Sequence, residues 1–302
     1  MKKYDLISNG YTSFDHIIKL DSPATVGRTS LVTNKDCGNP YWGGCSINIS
    51  VGLSRLGKSV LPIIRGGVEI ETSGFKDFLN RENIGSEATR YIENETNPRS
   101  FLIQNPDGEH ITNFYPGAMD ESYFIPYEDN WFKNSKAALM TVGSRKDNEE
   151  FINKVIQYNL PLFFGMKGDF SAFPKEFLKK IFNESEVLFM NKTECNQIIN
   201  LMKIDSIEEI FKTGKAKVIV ITLGEKGSIY IYAIEPKEFG KYIIELEISA
   251  NLPSIYQMPF SVYVDNINKQ TLTTNGTEGS KVKITSFVII DKTNEYISFK
   301  FH

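Results

Sequence analysis

The sequence predicts an α/β fold: a central, mostly parallel sheet flanked by helices, with a small β lid and a β-rich C-terminal segment. Three observations carry this. From the N-terminus to about residue 228, short apolar runs alternate with amphipathic stretches, and such alternation builds a parallel sheet covered on both faces. Two segments, about 11–40 and 95–118, break that rhythm with short β pieces and polar turns. After Gly227 the texture changes to a succession of strands with no convincing amphipathic helix.

In chain order, the strand candidates of the main body are "YDLIS", "SVLPII", "AALMTV", "LPLFF", "EVLFM" and "KVIVIT". The stretches "EEFINKVIQY" and "PKEFLKKIF" space their apolar residues as helices do. In "RSFLIQNPDGEHITNFYPGAM" the "NPDG" run is a hairpin turn between two alternating strands of the lid. The last part reads as "GSIYIYAI", "KYIIELEISA", "FSVYVD", "KVKITSFVII" and "YISFKF". The expected organisation is therefore an α/β domain over 1–235, carrying the lid, and a β-rich segment over 236–302.

A chain of 302 residues with a formal charge of -3 and a pI near 5.8 has no basic field for nucleic acid, and no Lys/Arg run tracks phosphates. Three cysteines (Cys37, Cys45, Cys195) and three histidines (His16, His110, His302) show no zinc spacing. A reducing, cytoplasmic setting is the simplest reading. The start "MKKYDLISNGYTSFD" interrupts its apolar run with Asp, Ser and Asn, so it reads as a first strand and not as a signal peptide or membrane span.

The stretch "YWGGCSINIS" places Gly43 and Gly44 just before a helix that stops at Gly57. Unpaired N–H groups gather at such a start, and the missing side chains let a ligand touch the backbone. Asn48, one turn in, can accept and donate, which suits a polyol hydroxyl. A tight turn made only for helix packing would look the same. In the lid, Phe114 is placed to stack on a base or sugar face, or to make an ordinary hydrophobic contact.

Taken in order, "GYTSFD", "GGCSIN", the "RLG" helix end, "RGGVEIETSG", "NKTE" and "VIVITLGEKGS" resemble the PfkB or ribokinase family of small-molecule kinases. The likeness covers roughly the first three quarters of the chain. "GGCSIN" with a lid ending "ITNFYPGAM" looks most like the nucleoside-kinase branch. The resemblance implies a ribokinase-like fold and phosphoryl transfer from ATP, with Mg²⁺, to a hydroxyl of a sugar or nucleoside. It assigns Asp15 to gripping substrate hydroxyls, with Gly43, Gly44 and Asn48 completing the sugar site. Asn191 and Glu194 would face a hydrated Mg²⁺, although a helix-opening capping box has the same pattern. Thr222, Gly224 and Gly227 would form a nucleotide-binding turn, or a plain β-turn. Two copies could pair as a homodimer through the lid.

One motif of that family is missing from the sequence. A D-T-x-G-A-G-D stretch should open a helix whose N–H groups stabilise the transferred phosphoryl and whose last Asp takes a proton. In the expected place stands "YIIELEISANLPSIYQ". Asp169, in "FFGMKGDF", precedes the N-x-x-E motif, so its order is wrong; Gly165 stands where the family often has Asp; Asp265 ends a strand without flanking glycines. Either the chain is a degenerate kinase or its C-terminal part was exchanged for a β module. Two functions follow as expectations: a sugar or nucleoside kinase, catalytically impaired, or a non-catalytic ligand-binding protein of the same fold with a β-rich interaction segment.

Overall fold

The computed structural model describes residues 2–224, 227–232, 240–248, 257–264, 267–275, 277, 280–290 and 297–301. The chain divides into two compact units, Met1–Pro174 and Lys175–His302. The boundary expected from the sequence at residue 235 falls inside the second unit. Element type and packing are different properties, and the division follows packing.

The first unit opens with β1 (Tyr4–Asn9), β2 (Ser13–Lys19) and β3 (Tyr41–Gly43), then α1 (Cys45–Arg55), β4 (Val60–Pro62) and β5 (Ile64–Gly66). It continues through α2 (Phe75–Arg81), β6 (Thr89–Tyr91), β7 (Arg99–Gln104), β8 (His110–Tyr115), α3 (Asp129–Lys133), β9 (Ser135–Met140), α4 (Arg145–Gln157) and β10 (Leu162–Gly165). Strand β1 pairs in parallel with β4 and with β9, and β10 pairs in parallel with β9. Its residues are buried on both faces, with Ile7 wholly enclosed, as a helix-covered parallel strand requires. Helix α4 starts where Ser144 Oγ accepts the Asp147 amide at 3.2 Å, and it buries Phe151, Ile152 and Val155. Helix α1 ends as its glycine predicts. Gly57 takes φ +76° and its amide donates to Ser54 O at 2.8 Å, a C-terminal cap that favours a residue without Cβ.

The lid is a separate four-stranded sheet in the order β3-β2-β7-β8. Strands β2 and β7 run parallel, while β3 and β8 join antiparallel at the two edges. The β7–β8 turn is the one predicted at "NPDG": Gly108 has φ +90°, and the Asn105 amide donates to Glu109 O at 2.8 Å.

The second unit contains α5 (Lys175–Glu184), β11 (Ser185–Asn191), α6 (Lys192–Met202), β12 (Val218–Thr222) and β13 (Ser228–Tyr232). Helix α5 buries Phe177, Leu178, Ile181 and Phe182 on one stripe, each worth about 1.5–3 kcal/mol when fully buried. Strands β11 and β12 are parallel, and β12 turns back antiparallel into β13. Beyond them come β14 (Gly240–Ile248), β15 (Gln257–Val264), β16 (Ile267–Asn275), β17 (Val282–Ile290) and β18 (Ile297–Phe301). They pair antiparallel as β14-β17 and as β16-β15-β18 around a core of Phe260, Val262, Val264, Val288, Ile297 and Phe299. Asp265, and residues 249–256 of the stretch standing where the missing motif was expected, lie outside the described residues.

Candidate functional site

In the first unit the site is built at the carboxyl ends of β1, β9 and β10, the edge at which open parallel sheets form ligand crevices. A cavity of ≈ 200 Å³ is lined there by Tyr11 after β1, Val142 after β9, and Lys167 and Asp169 after β10. Gly44 and Cys45 from the start of α1 complete its lining, with Ser13, Ser100, Thr112 and Phe114 from the lid. It is small beside the roughly 300–1,000 Å³ usual for small-molecule clefts. Two larger cavities, of ≈ 250 Å³ beside Ile70 and Arg90 and of ≈ 350 Å³ beside Phe182 and Met202, border none of the candidate site residues.

The glycine pair of "YWGG" is required by the protein's own atoms. A Cβ on Gly43 would overlap the Asp15 carboxylate, 3.3 Å from its Cγ, and would lie 3.6 Å from Asn48 Oδ1. The bare glycine thus lets the carboxylate of Asp15 and the amide of Asn48 converge. A Cβ on Gly44 would overlap Tyr11 O and come within 2.7 Å of Ser13 N. Gly44 also takes φ +91° as the residue preceding α1 and makes no side-chain cap. Close backbone approach therefore exists at both glycines, and the approaching groups are Asp15 and the 11–13 backbone.

Asp15 is half-buried on β2, opposite Tyr41 of β3 and Ser100 of β7, while Asn48 is exposed in the first turn of α1. On the cavity wall Tyr11 and Phe114 tilt against each other with ring centroids 4.7 Å apart, and Ser13 Oγ and Ser100 Oγ share a hydrogen bond of 2.7 Å. Burial, then the fields of Asp147, Asp169 and Asp120, push the Tyr11 phenol up to about 12. Tyr11 therefore presents a neutral O–H at neutral pH. Asp169 caps its own loop: its Oδ1 accepts from Ser171 N at 3.1 Å, Ser171 Oγ at 2.5 Å and Ala172 N at 3.2 Å.

Behind the cavity a buried network holds the strand ends. Arg65, only 2% exposed, forms an ion pair with Asp147 and donates to the carbonyls of Ala118 (3.0 Å), Met119 (3.0 Å) and Asp120 (3.2 Å). Tyr127 donates to Asp147 Oδ1 (2.8 Å) and lies 3.0 Å from Asn9 Oδ1. Desolvation opposes the Arg65 charge, but the bonds and field of Asp147 outweigh it and raise its pKa. Segment 118–120 follows β8, so this network anchors the strand that carries Phe114. Tyr11 and Ser13 lie inside "GYTSFD" and Arg65 inside "RGGVEIETSG" without being singled out there, while Ser100 and Lys167 stand outside every motif that carries the resemblance. Only the S-x-x-D start of α4 marks Asp147, and it marks it as a helix cap.

In the second unit the strand register places Asn191 beside Thr222 at the ends of β11 and β12, so two separately predicted motifs become neighbours. Asn191 Oδ1 accepts from Glu194 N, and Glu194 Oε2 accepts from Asn191 N, each at 2.8 Å, a complete capping box. Glu194 is 7% exposed, and its Oε1 has no partner among the described residues. Among the described residues no three His, Cys, Asp or Glu gather as a metal cage. The donor set fits a Mg²⁺ held through its own waters, the way this ion is usually bound. After Thr222, Gly224 and Gly227 take φ +63° and +87°, and Leu223 N donates to Gly227 O at 2.8 Å. A Cβ on either glycine would meet none of the described residues within 4 Å.

The comparisons with known proteins agree with this architecture. Residues 5–244 match the pfkB family of carbohydrate kinases. The nucleoside kinase of Methanocaldococcus jannaschii is 26% identical over 228 residues, covering 76% of this chain and 72% of the relative. Its crystal structure superposes with TM-score 0.62 at 23% identity, over 77% of this chain and 75% of the other. The Burkholderia thailandensis nucleoside kinase in complex with inosine superposes with TM-score 0.63 at 18% identity, over 78% and 77% of the two chains. The Arabidopsis thaliana ribokinase complexed with ribose and ATP gives 0.60 at 16% identity, over 75% and 74%. The fold is ribokinase-like. No helix among the described residues is long and apolar enough to cross a membrane.

Proposed function

The chain belongs to the pfkB family of carbohydrate kinases, and we propose that it transfers the γ-phosphoryl of ATP to a hydroxyl of a nucleoside or sugar. The observation that carries this reading is the convergence of the Asp15 carboxylate and the Asn48 amide across Gly43, next to a cavity whose lining offers hydroxyls and an aromatic pair. A carboxylate accepts from two vicinal hydroxyls, an amide both accepts and donates, and an aromatic face stacks on a ring. A nucleoside needs all three. The relatives support the same substrate class, one being a nucleoside kinase and another a ribokinase in complex with ribose and ATP. On the nucleotide side, Thr222, Gly224 and Gly227 would receive ATP. Asn191 and Glu194 would orient the waters of its Mg²⁺, which would supply charge neutralisation to the phosphates.

A second reading, ligand binding without transfer, is favoured by one observation: the chain contains no G-A-G-D sequence. The two separate in a thermal-shift and phosphoryl-transfer panel of adenosine, inosine, cytidine, uridine and ribose, each with Mg·ATP. A true ligand at 100 times its Kd stabilises the fold by about 2.7 kcal/mol. Asp15→Ala should abolish the shift by the acceptor and leave that by Mg·ATP. If no acceptor shifts the wild type and none is phosphorylated, both readings fall; shift without transfer selects the second.

A further inference from the structure

Phosphoryl transfer to a hydroxyl needs a group that takes the hydroxyl proton as the new bond forms. The lining of the first unit's cavity narrows the candidates. Ser13 and Ser100 are occupied with each other, the Tyr11 phenol holds its proton up to about 12, and the Lys167 ammonium has no lone pair to offer. Asp169 is the one carboxylate among the described lining residues. Its Oδ1 is fixed by the three donors of Ser171 and Ala172, while its Oδ2 has no hydrogen-bond donor among the described residues. A carboxylate with one oxygen fixed and the other free is oriented to accept a proton from a bound ligand. Its loop follows β10 at the same carboxyl edge that places Tyr11 and Val142.

We propose that Asp169 is the catalytic base of this chain. The inference rests on the kinase reading above. In the step assigned to it, the acceptor hydroxyl gives its proton to Asp169 Oδ2 while its oxygen bonds to the γ-phosphorus of ATP. The bond from the γ-phosphorus to the β,γ-bridging oxygen breaks, ADP leaves with that electron pair, and Asp169 passes the proton to solvent. The base thus comes from the loop after β10, ahead of the N-x-x-E motif in the chain, and the order along the sequence is no obstacle because the cavity is assembled in three dimensions.

The test uses the full-length protein, radiolabelled Mg·ATP and the acceptor panel named above. Asp169→Asn keeps an oxygen for the Ser171 and Ala172 donors but cannot act as a carboxylate base. It should lower kcat by roughly 10²–10⁴-fold with acceptor binding, read by calorimetry, unchanged within a few-fold. Ser171→Ala removes one of the three donors that fix Oδ1 and should lower kcat far less than Asp169→Asn does. Asp169→Glu retains a carboxylate displaced by one methylene and should fall between wild type and Asp169→Asn, which guards against a folding defect in the latter. Wild-type kcat in Asp169→Asn would overturn the assignment and leave the kinase reading intact. Equal losses in Asp169→Asn and Ser171→Ala would also overturn it, showing that Asp169 only shapes its loop. A wild type that transfers nothing to any acceptor would overturn the kinase reading itself and this base with it.

Discussion

Two glycine pairs, Gly43–Gly44 in the first unit and Gly224 with Gly227 in the second, carry equally plain sequence motifs and are required for different reasons. At the first pair an added Cβ would overlap the Asp15 carboxylate or the Tyr11 carbonyl; at the second it would meet none of the described residues within 4 Å. The first pair is therefore enclosed by the fold it belongs to, whereas among the described residues backbone torsion alone constrains the second. A glycine motif read from a sequence does not distinguish a crowded backbone from an exposed one. The distinction is energetic, and substitutions can measure it.

The largest effect should come from Gly44→Ala. Its Cβ adds overlap with backbone atoms, which cannot swing away, to the strain of φ +91°. Together these cost roughly 2–6 kcal/mol, read as a lower urea midpoint. A loss below about 1 kcal/mol would break the comparison.

Gly227→Ala should cost only the left-handed torsion, about 1–2 kcal/mol, and Gly227→Asn less, because Asn tolerates φ near the +87° found there. Neither should alter acceptor binding by the first unit's cavity. A cost at Gly227 equal to that at Gly44 would show that the second pair is as enclosed as the first.

The smallest effect sharpens the view of the first pair's surroundings. Tyr11, whose carbonyl abuts Gly44, has its phenol raised from 10.0 to about 12. Below pH 10 the group is neutral in both states and its contribution is complete. Between pH 10 and 12 the unfolded chain ionises while the folded one keeps its proton, so stability falls as pH rises through that window. Urea midpoints of the wild type should decline more steeply there than those of Tyr11→Phe. Parallel declines would mean that Tyr11 is solvated.

Much of the fold was legible, and the parts that were not share a physical cause. The apolar runs of β9, β10 and β12 announce themselves because strands buried on both faces are nearly continuously hydrophobic. Strand β16, "INKQTLTTN", gave no such signal because its side chains are mostly exposed, and it is held as a strand by pairing with β15. Helices α2 and α3 and strand β6 are too short for periodicity to register. In the candidate site, Asp15, Gly43, Gly44, Asn48 and Phe114 were named from motifs, while Ser13, Ser100, Val142 and Lys167 were not, since the cavity gathers them from β2, β7 and the loops after β9 and β10, which no short window of sequence holds together.

The sequence by itself determined the features whose partners lie within a few residues: the Asn191–Glu194 capping box, the β7–β8 turn at "NPDG" and the glycine that ends α1. Local torsions and short hydrogen bonds decide these, and both partners are written side by side. Tertiary structure alone decided that Arg65 meets Asp147 across 82 residues, that β2 runs parallel to β7, that Asn191 stands beside Thr222, and that the carboxylate of Asp169 shares a cavity with Tyr11 and Phe114. Strand register and core packing set these pairings, and both depend on which distant segments bury each other, a choice that no short window of the sequence contains.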